Sequence, residues 1–195
     1  MSVKNYKFYN TSLGWIHFFI ALITFSLTVE PTASFWDAGE YIATSAKLQV
    51  GHPPGAPLFQ MIGAFFAMFA PNVEKVALFV NLMSVFSSAF TILFMFWTLT
   101  LILRKLPAFK NINTKSDYIG FFGSASIGSL AFCFSDSFWF NAVEAEVYAM
   151  ATLILSVLFW LGLKWEQEMN TAYGDRWLLL ISFIIGLSFR VHFMG

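Results

Sequence analysis

Residues 76–103 read VALFVNLMSVFSSAFTILFMFWTLTLIL, an unbroken run without one charged side chain. About 20 apolar residues cross a hydrocarbon core roughly 30 Å thick, so this stretch alone argues for a membrane protein. The composition around it agrees. Of 195 residues, 58% are hydrophobic and 11% charged, with 25 Phe and 7 Trp, whereas soluble domains carry about a quarter charged residues. A formal net charge of +0 argues against a nucleic-acid partner, which needs a basic surface to displace counterions from phosphates. Cys133 is the single cysteine, so neither an intramolecular disulfide nor a multi-cysteine metal site can form.

Outward from that run, further apolar segments lie at residues 11–29, 53–73, 118–135, 147–163 and 177–195. Lys4 and Lys7 ahead of the first resemble the basic end of a signal peptide, but no small-residue cleavage site follows, and the segment reads as a retained helix. If every segment crossed, the loop with Arg104, Lys105, Lys110 and Lys115 would share a face with Asp37 and Glu40, against the tendency of short basic loops to stay cytoplasmic. The weakest candidate is 53–73, which opens with Pro53, Pro54 and Pro57 and contains Gln60. Read as a juxtamembrane or re-entrant helix, it leaves five crossings. Eight of the eleven bases then fall on the cytoplasmic side and seven of the eleven acids on the outer side.

The outer loop at 30–75 carries Phe35-Trp36-Asp37-Ala38-Gly39-Glu40-Tyr41 and then Gly51-His52-Pro53-Pro54-Gly55. Ser34 is placed to cap a helix whose first turns hold Asp37 and Glu40, favourable positions against the helix dipole. A spacing of three puts both carboxylates on one face, continued by Thr44 and Lys47. Two readings stand: a functional acid pair, or a solvated face whose acids only cap. Pro53 forces His52 out of the helical region, presenting its imidazole at a fixed corner to a phosphate or a sugar hydroxyl. The plain alternative is a helix break with a wet histidine. Trp36 and Tyr41 are explained as interfacial anchors.

Asn141-Ala142-Val143-Glu144-Ala145-Glu146-Val147-Tyr148 leads directly into a span. Helix positions two apart point about 200° from each other, so one of Glu144 and Glu146 is expected to face the cavity lined by Asp37 while the other caps. Arg190 and His192 lie 13 uncharged residues into the last segment, where ionisable groups are functional candidates by default. Snorkelling to the interface is the alternative for Arg190. His17 reads as a packing histidine and Asn81 as an interhelical hydrogen bonder. Asp37, Glu40, Glu144 and Glu146 could supply oxygen ligands to a divalent cation, although carboxylates without fixed spacing do not by themselves require a metal. No cofactor is certain from these motifs.

Asp37-Ala38-Gly39-Glu40, the Gly51-His52-Pro53-Pro54-Gly55 turn, Ala145-Glu146-Val147-Tyr148, and Gly186-Leu187-Ser188-Phe189 followed by His192 resemble, in that order, the amino-terminal part of a bacterial membrane family. That family, formerly catalogued only as a domain of unknown function, is related to a eukaryotic transmembrane protein O-mannosyltransferase and belongs to the GT-C glycosyltransferases. The resemblance implies an all-α, GT-C-like integral membrane bundle, with about five transmembrane helices and juxtamembrane helices in the first outer loop, residues 1–195 forming one module. It implies transfer of a mannose-like hexose from a polyprenyl-phosphate sugar to Ser or Thr hydroxyls of an acceptor protein, at the periplasmic face of a bacterial inner membrane. Asp37 would be the general base and Glu40 would orient the acceptor. Glu146, more than Glu144, matches the second-loop acid, and His52 belongs to the turn that leads into a juxtamembrane helix. His192 and Arg190 would neutralise the carrier phosphate, although Arg190 has no matched position in the family.

Members of this superfamily have many more spans, commonly with a soluble outer domain. The chain stops at Gly195 inside a hydrophobic segment, and so resembles an amino-terminal fragment, a truncated reading frame or half of a split protein whose C-terminal part would be a partner. Two further readings are a non-catalytic membrane subunit or transporter fragment, and an inactive truncated bundle. Transport favours buried charge pairs along several spans, whereas here the acids cluster in loops and only Arg190 and His192 lie within a span.

Overall fold

The computed structural model describes residues 3–110 and 112–191, and every regular element among them is helical. Eight α-helices follow in order: α1 (Val3–Thr28), α2 (Ala38–Lys47), α3 (Pro57–Ala67), α4 (Val76–Leu103), α5 (Lys115–Cys133), α6 (Asp136–Ala142), α7 (Val147–Glu168) and α8 (Gly174–Ser188). The charge-free run is α4, and it forms the axis against which α1, α3, α5 and α7 pack. Its buried positions include Ser84, Ser87, Ser88, Thr91 and Thr100, small enough to let neighbouring backbones come close. Ser87 Oγ donates to the Met83 carbonyl at 2.9 Å and Thr91 Oγ1 to the Ser87 carbonyl at 3.0 Å. A dry interior favours such pairing, although Ser84 and Ser88 Oγ have no hydrogen-bond partner among the described residues.

Local signals set the helix limits. Thr114 and Asp117 form a reciprocal capping box at the start of α5, satisfying two otherwise orphaned amides. Asn72 accepts from the Lys75 amide in the single-turn helix that leads into α4, and Pro57 opens α3, where its missing N–H costs nothing. α2 ends at Leu48, whose φ of 49° reverses the chain.

Four contacts define the two ends of the bundle. At one end the Glu30 amide donates to the Val143 carbonyl and the Leu58 amide to the Arg190 carbonyl, both at 2.9 Å. These bonds bring together the loop after α1, the link before α7 and the end of α8. At the other end Lys105 pairs with Glu166, and the Arg104 guanidinium lies 4.6 Å from the centre of the Tyr6 ring. Chain direction therefore alternates through α1, α4, α5–α6, α7 and α8, as the charge distribution predicts.

Three stretches are long and apolar enough to cross a membrane: Tyr6–Thr28, Val73–Leu103 and Val147–Glu168. α5 and α6, bent by 65°, count as a fourth if taken as one broken span. The expected fifth, α8, has 15 residues against the 20 or so that a full crossing takes. It turns at Arg190 and Val191, whose amides donate to Leu187 and Ser188 carbonyls. The expected segment at 177–195 ends with four residues that lie outside the described ones. α3, with 11 residues, extends about 16 Å, half a crossing. It packs on α2 and α4 while Met61, Phe65, Met68 and Phe69 face outward, the arrangement expected of a juxtamembrane helix.

Candidate functional site

The loop after α1 is held by Asn81 of α4. Its buried Nδ2 donates to the Glu30 carbonyl at 2.7 Å and the Thr32 carbonyl at 2.9 Å. The sequence suggested a bond to another helix. Loop carbonyls take it instead, because irregular backbone at the bilayer edge lacks internal donors. Together with the Glu30-to-Val143 bond, this fixes the two acidic loops side by side.

Helix α2 begins later than expected. Trp36 adopts a φ of 60°, and the turn it makes leaves Asp37 rather than Ser34 at the cap position, with no hydrogen bond from the Asp37 side chain to the helix. Ser34 Oγ is buried without a hydrogen-bond partner among the described residues. The Asp37 carboxylate is thus left to the cavity, with Oδ2 4.0 Å from His52 Nε2.

Glu40, one turn on, holds His52 at two points. Its Oε1 accepts the His52 amide at 2.6 Å and its Oε2 lies 3.0 Å from Nδ1. The turn that follows closes with the Gly55 amide donating to the His52 carbonyl at 2.8 Å, and Gly55 takes a φ of 79° that suits glycine. The hydrogen bond that Glu40 accepts, then its charge, holds the His52 imidazole above its ordinary pKa. The same contact, led by the His52 amide, holds Glu40 below its own. Both Glu40 oxygens are thus engaged by His52. Asp37, Glu40 and His52 each offer a ligand atom within 4.8 Å of the others.

Glu144 and Glu146 sit in the non-helical link between α6 and α7. Helical periodicity does not apply there, and both line the cavity rather than one. Both are buried, with 3% and 7% of their surface exposed. Burial, followed by the charges of Glu144 and Asp37, pushes Glu146 up to about 7, opposed by the Asp37 amide that it accepts and by His52.

These groups surround a cavity of about 480 Å³ lined by Trp36, Asp37, Tyr41 and His52 from the first loop and by Phe140, Asn141, Glu144, Glu146, Val147 and Tyr148 from the second. Tyr41, read from sequence as an interfacial anchor, is 7% exposed. Burial and then the charge of Glu146 push its phenol up to about 12, so it stays a hydrogen-bond donor. The signal was its place four residues after Asp37, one helical turn away. Trp36 lines the same wall but is 87% exposed. Asn141 and Tyr148 were legible only as flanks of the acid pair.

Arg190 does not line the cavity; its side chain is exposed and its carbonyl receives the Leu58 amide at the start of α3. His192 lies outside the described residues. His17 behaves as a packing residue, stacked on Phe96 with ring centres 4.5 Å apart and Nδ1 2.7 Å from the Leu13 carbonyl.

Comparison with known proteins brings a family model described as the protein O-mannosyl-transferase TMEM260 N-terminal domain, which matches residues 37–195. Protein O-mannosyl-transferase tmem260 of Dictyostelium discoideum is 26% identical over 161 residues, covering 82% of this chain and 18% of its own length. Protein O-mannosyl-transferase TMEM260 of Mus musculus is 26% identical over 164 residues, covering 84% of this chain and 21% of its own. The chain thus spans about a fifth of the length of these curated relatives. No solved structure gives a significant match.

Proposed function

The chain belongs to the family of the protein O-mannosyl-transferase TMEM260 N-terminal domain, and on that premise we propose that it is a GT-C-type glycosyltransferase module. It moves a mannose-like hexose from a polyprenyl-phosphate carrier to Ser or Thr hydroxyls of proteins. Residues 1–195 act as one unit, with the loop at 30–75 forming one wall of the site. The observation that carries this reading is the convergence of Asp37, His52, Glu144 and Glu146 on one cavity at the end of an apolar bundle. The basic side chains Arg104 and Lys105 lie at the opposite end, which supports a periplasmic site in a bacterial inner membrane by the positive-inside tendency.

In this mechanism the acceptor hydroxyl oxygen attacks the anomeric carbon, the bond from that carbon to the carrier phosphate breaks, and Asp37 takes the hydroxyl proton. Asp37 suits the role because its carboxylate is partly exposed, within reach of an acceptor arriving from water. The His52 ring, held in place by Glu40, presents Nε2 to the departing phosphate. Glu146, titrating at about 7, is in good part protonated near neutral pH and donates a hydrogen bond to a sugar hydroxyl or phosphate oxygen. Arg190 stays outside the mechanism, since it does not line the cavity.

The test is transfer from a mannosyl polyprenyl phosphate to an acceptor peptide by the complete protein in membranes. Asp37→Asn should lower turnover by a factor on the order of 100 to 10,000 while the donor still binds. Unchanged turnover would rule Asp37 out as the base.

A further inference from the structure

Trp36 is the aromatic residue that packing explains least. The indole N–H groups of Trp97, Trp139 and Trp177 donate to Asn10, Thr28 and Glu168, tying one helix to another. Trp36 is 87% exposed, and among the described residues its ring meets no other aromatic and its Nε1 donates to no protein group. Its backbone is held at a φ of 60°, a region that glycine enters freely and a bulky side chain avoids. Such outliers persist where the surroundings over-determine the turn, and they gather at ligand sites. Here Asn81 fixes the Glu30 and Thr32 carbonyls before the turn, Thr32 Oγ1 donates to Glu30 Oε1 at 2.7 Å, and α2 begins directly after Asp37.

The turn sorts two neighbouring rings. Trp36 enters the wall of the cavity beside Asp37, while Phe35, 85% exposed, stays outside it. A membrane anchor needs no strained turn and no place in the cavity wall. The second loop supplies the Asn141 amide and the Glu144 carboxylate to the same space, groups that accept from hydroxyls, with the amide also able to donate. A pyranose matches this lining, because hydroxyls ring its edge while its face presents C–H bonds, which the negative face of an aromatic ring attracts. An extended peptide is a poorer match. It would need a backbone edge to pair with, and every regular element among the described residues is helical.

The geometry points to Trp36 as the platform for the hexose of the glycosyl phosphate, its indole against the C–H face of the pyranose and Asn141 and Glu144 taking ring hydroxyls from the second loop. The proposal rests on the transferase reading and deepens it by naming how the sugar, rather than its lipid carrier, is held.

The experiment compares mannosyl farnesyl phosphate with farnesyl phosphate lacking the sugar, each titrated by calorimetry into the full chain in lipid nanodiscs, with empty nanodiscs as the blank. Trp36→Ala should weaken the mannosyl ligand on the order of tenfold and leave bare farnesyl phosphate unchanged, while Trp36→Phe keeps most of the affinity. Phe35→Ala should change neither. Trp36→Gly should bind as weakly as Trp36→Ala yet melt a few degrees above it, because glycine relieves the turn; that order separates lost affinity from lost folding. The tryptophan emission that Trp36→Phe removes should be quenched by iodide from water and shielded by the mannosyl ligand. Equal loss for both ligands, or quenching by brominated lipid in place of iodide, makes Trp36 a membrane anchor and overturns the platform. A Trp36→Ala defect confined to the KM of the acceptor peptide assigns the ring to the peptide and overturns it too. Undiminished donor binding in Trp36→Ala, in a protein whose parent transfers, sinks the platform and keeps the transferase reading; sugar binding through Trp36 without transfer by the complete protein does the reverse.

Discussion

Glu146 is the residue whose environment departs furthest from its composition. It caps α7 without a side-chain cap bond, is 7% exposed, and is pushed up to about 7 from an ordinary 4.5 by burial and by the acids beside it. A carboxyl raised in the folded state holds its proton where the unfolded chain has lost it. Stability therefore falls as pH rises from about 4.5 to 7, with the full cost present above that window. The size is at most about 3 kcal/mol. Glu146→Gln, which imitates the protonated form, should melt several degrees higher than the parent at pH 8 and match it at pH 4. Equal melting temperatures at both values would place the carboxylate in a solvated setting. Sequence alone singled out Asp37, Glu40, His52, Glu144 and Glu146 as candidates, because charge at the edge of a bilayer has to be accounted for. The bond between Glu40 and His52 was not legible, since it closes across a turn whose geometry no local spacing encodes.

Among the elements, the crossing of α2 and α3 sets the cavity wall. A Cβ on Gly63 would lie 2.5 Å from Ser45 Oγ and 2.9 Å from Ser45 Cβ, so the two helices touch where neither has room to spare. Near that contact Gln60 Nε2 donates to Thr44 Oγ1 at 3.1 Å, and Thr44 Oγ1 donates to the Glu40 carbonyl at 2.8 Å. The chain from α3 to the residue that holds His52 is therefore short and stiff. Gly63→Ala should push α3 off α2, cost about 1–3 kcal/mol, and displace the His52 turn. Ser45→Gly in the same chain should restore much of the loss, in melting temperature as in activity, because it vacates both clashing atoms. A double variant no better than Gly63→Ala would refute this contact as the constraint. The prolines before α3 announced a break, and Gln60 marked the segment as unfit to cross. The tight crossing itself was not legible, since Gly63 in an apolar helix reads the same whether it faces lipid or another backbone.

The whole bundle is a case in which charge alone ordered the chain in space. Counting bases placed residues 30–75 and 143–146 at one end before any contact was known; the Glu30-to-Val143 bond joins those segments, and the Leu58-to-Arg190 bond ties the first of them to the end of α8. The number of full crossings was less legible than their directions, because hydropathy is blind to the 65° bend between α5 and α6 and to the end of α8 at Ser188. Direction is what the catalytic reading needs. Acids on one face and Arg104, Lys105 and Lys115 on the other require an odd number of crossings between Asp37 and the loop at 104–114, and α4 supplies one while α3 is too short to cancel it. Single cysteines at the exposed positions Gln49→Cys and Asn113→Cys, in a Cys133→Ser background, should react with a membrane-impermeant maleimide from opposite sides of sealed vesicles. Labelling of both from the same side would mean that α3 crosses after all, and the two acidic loops would then be separated by the full thickness of the bilayer, too far apart to form one site.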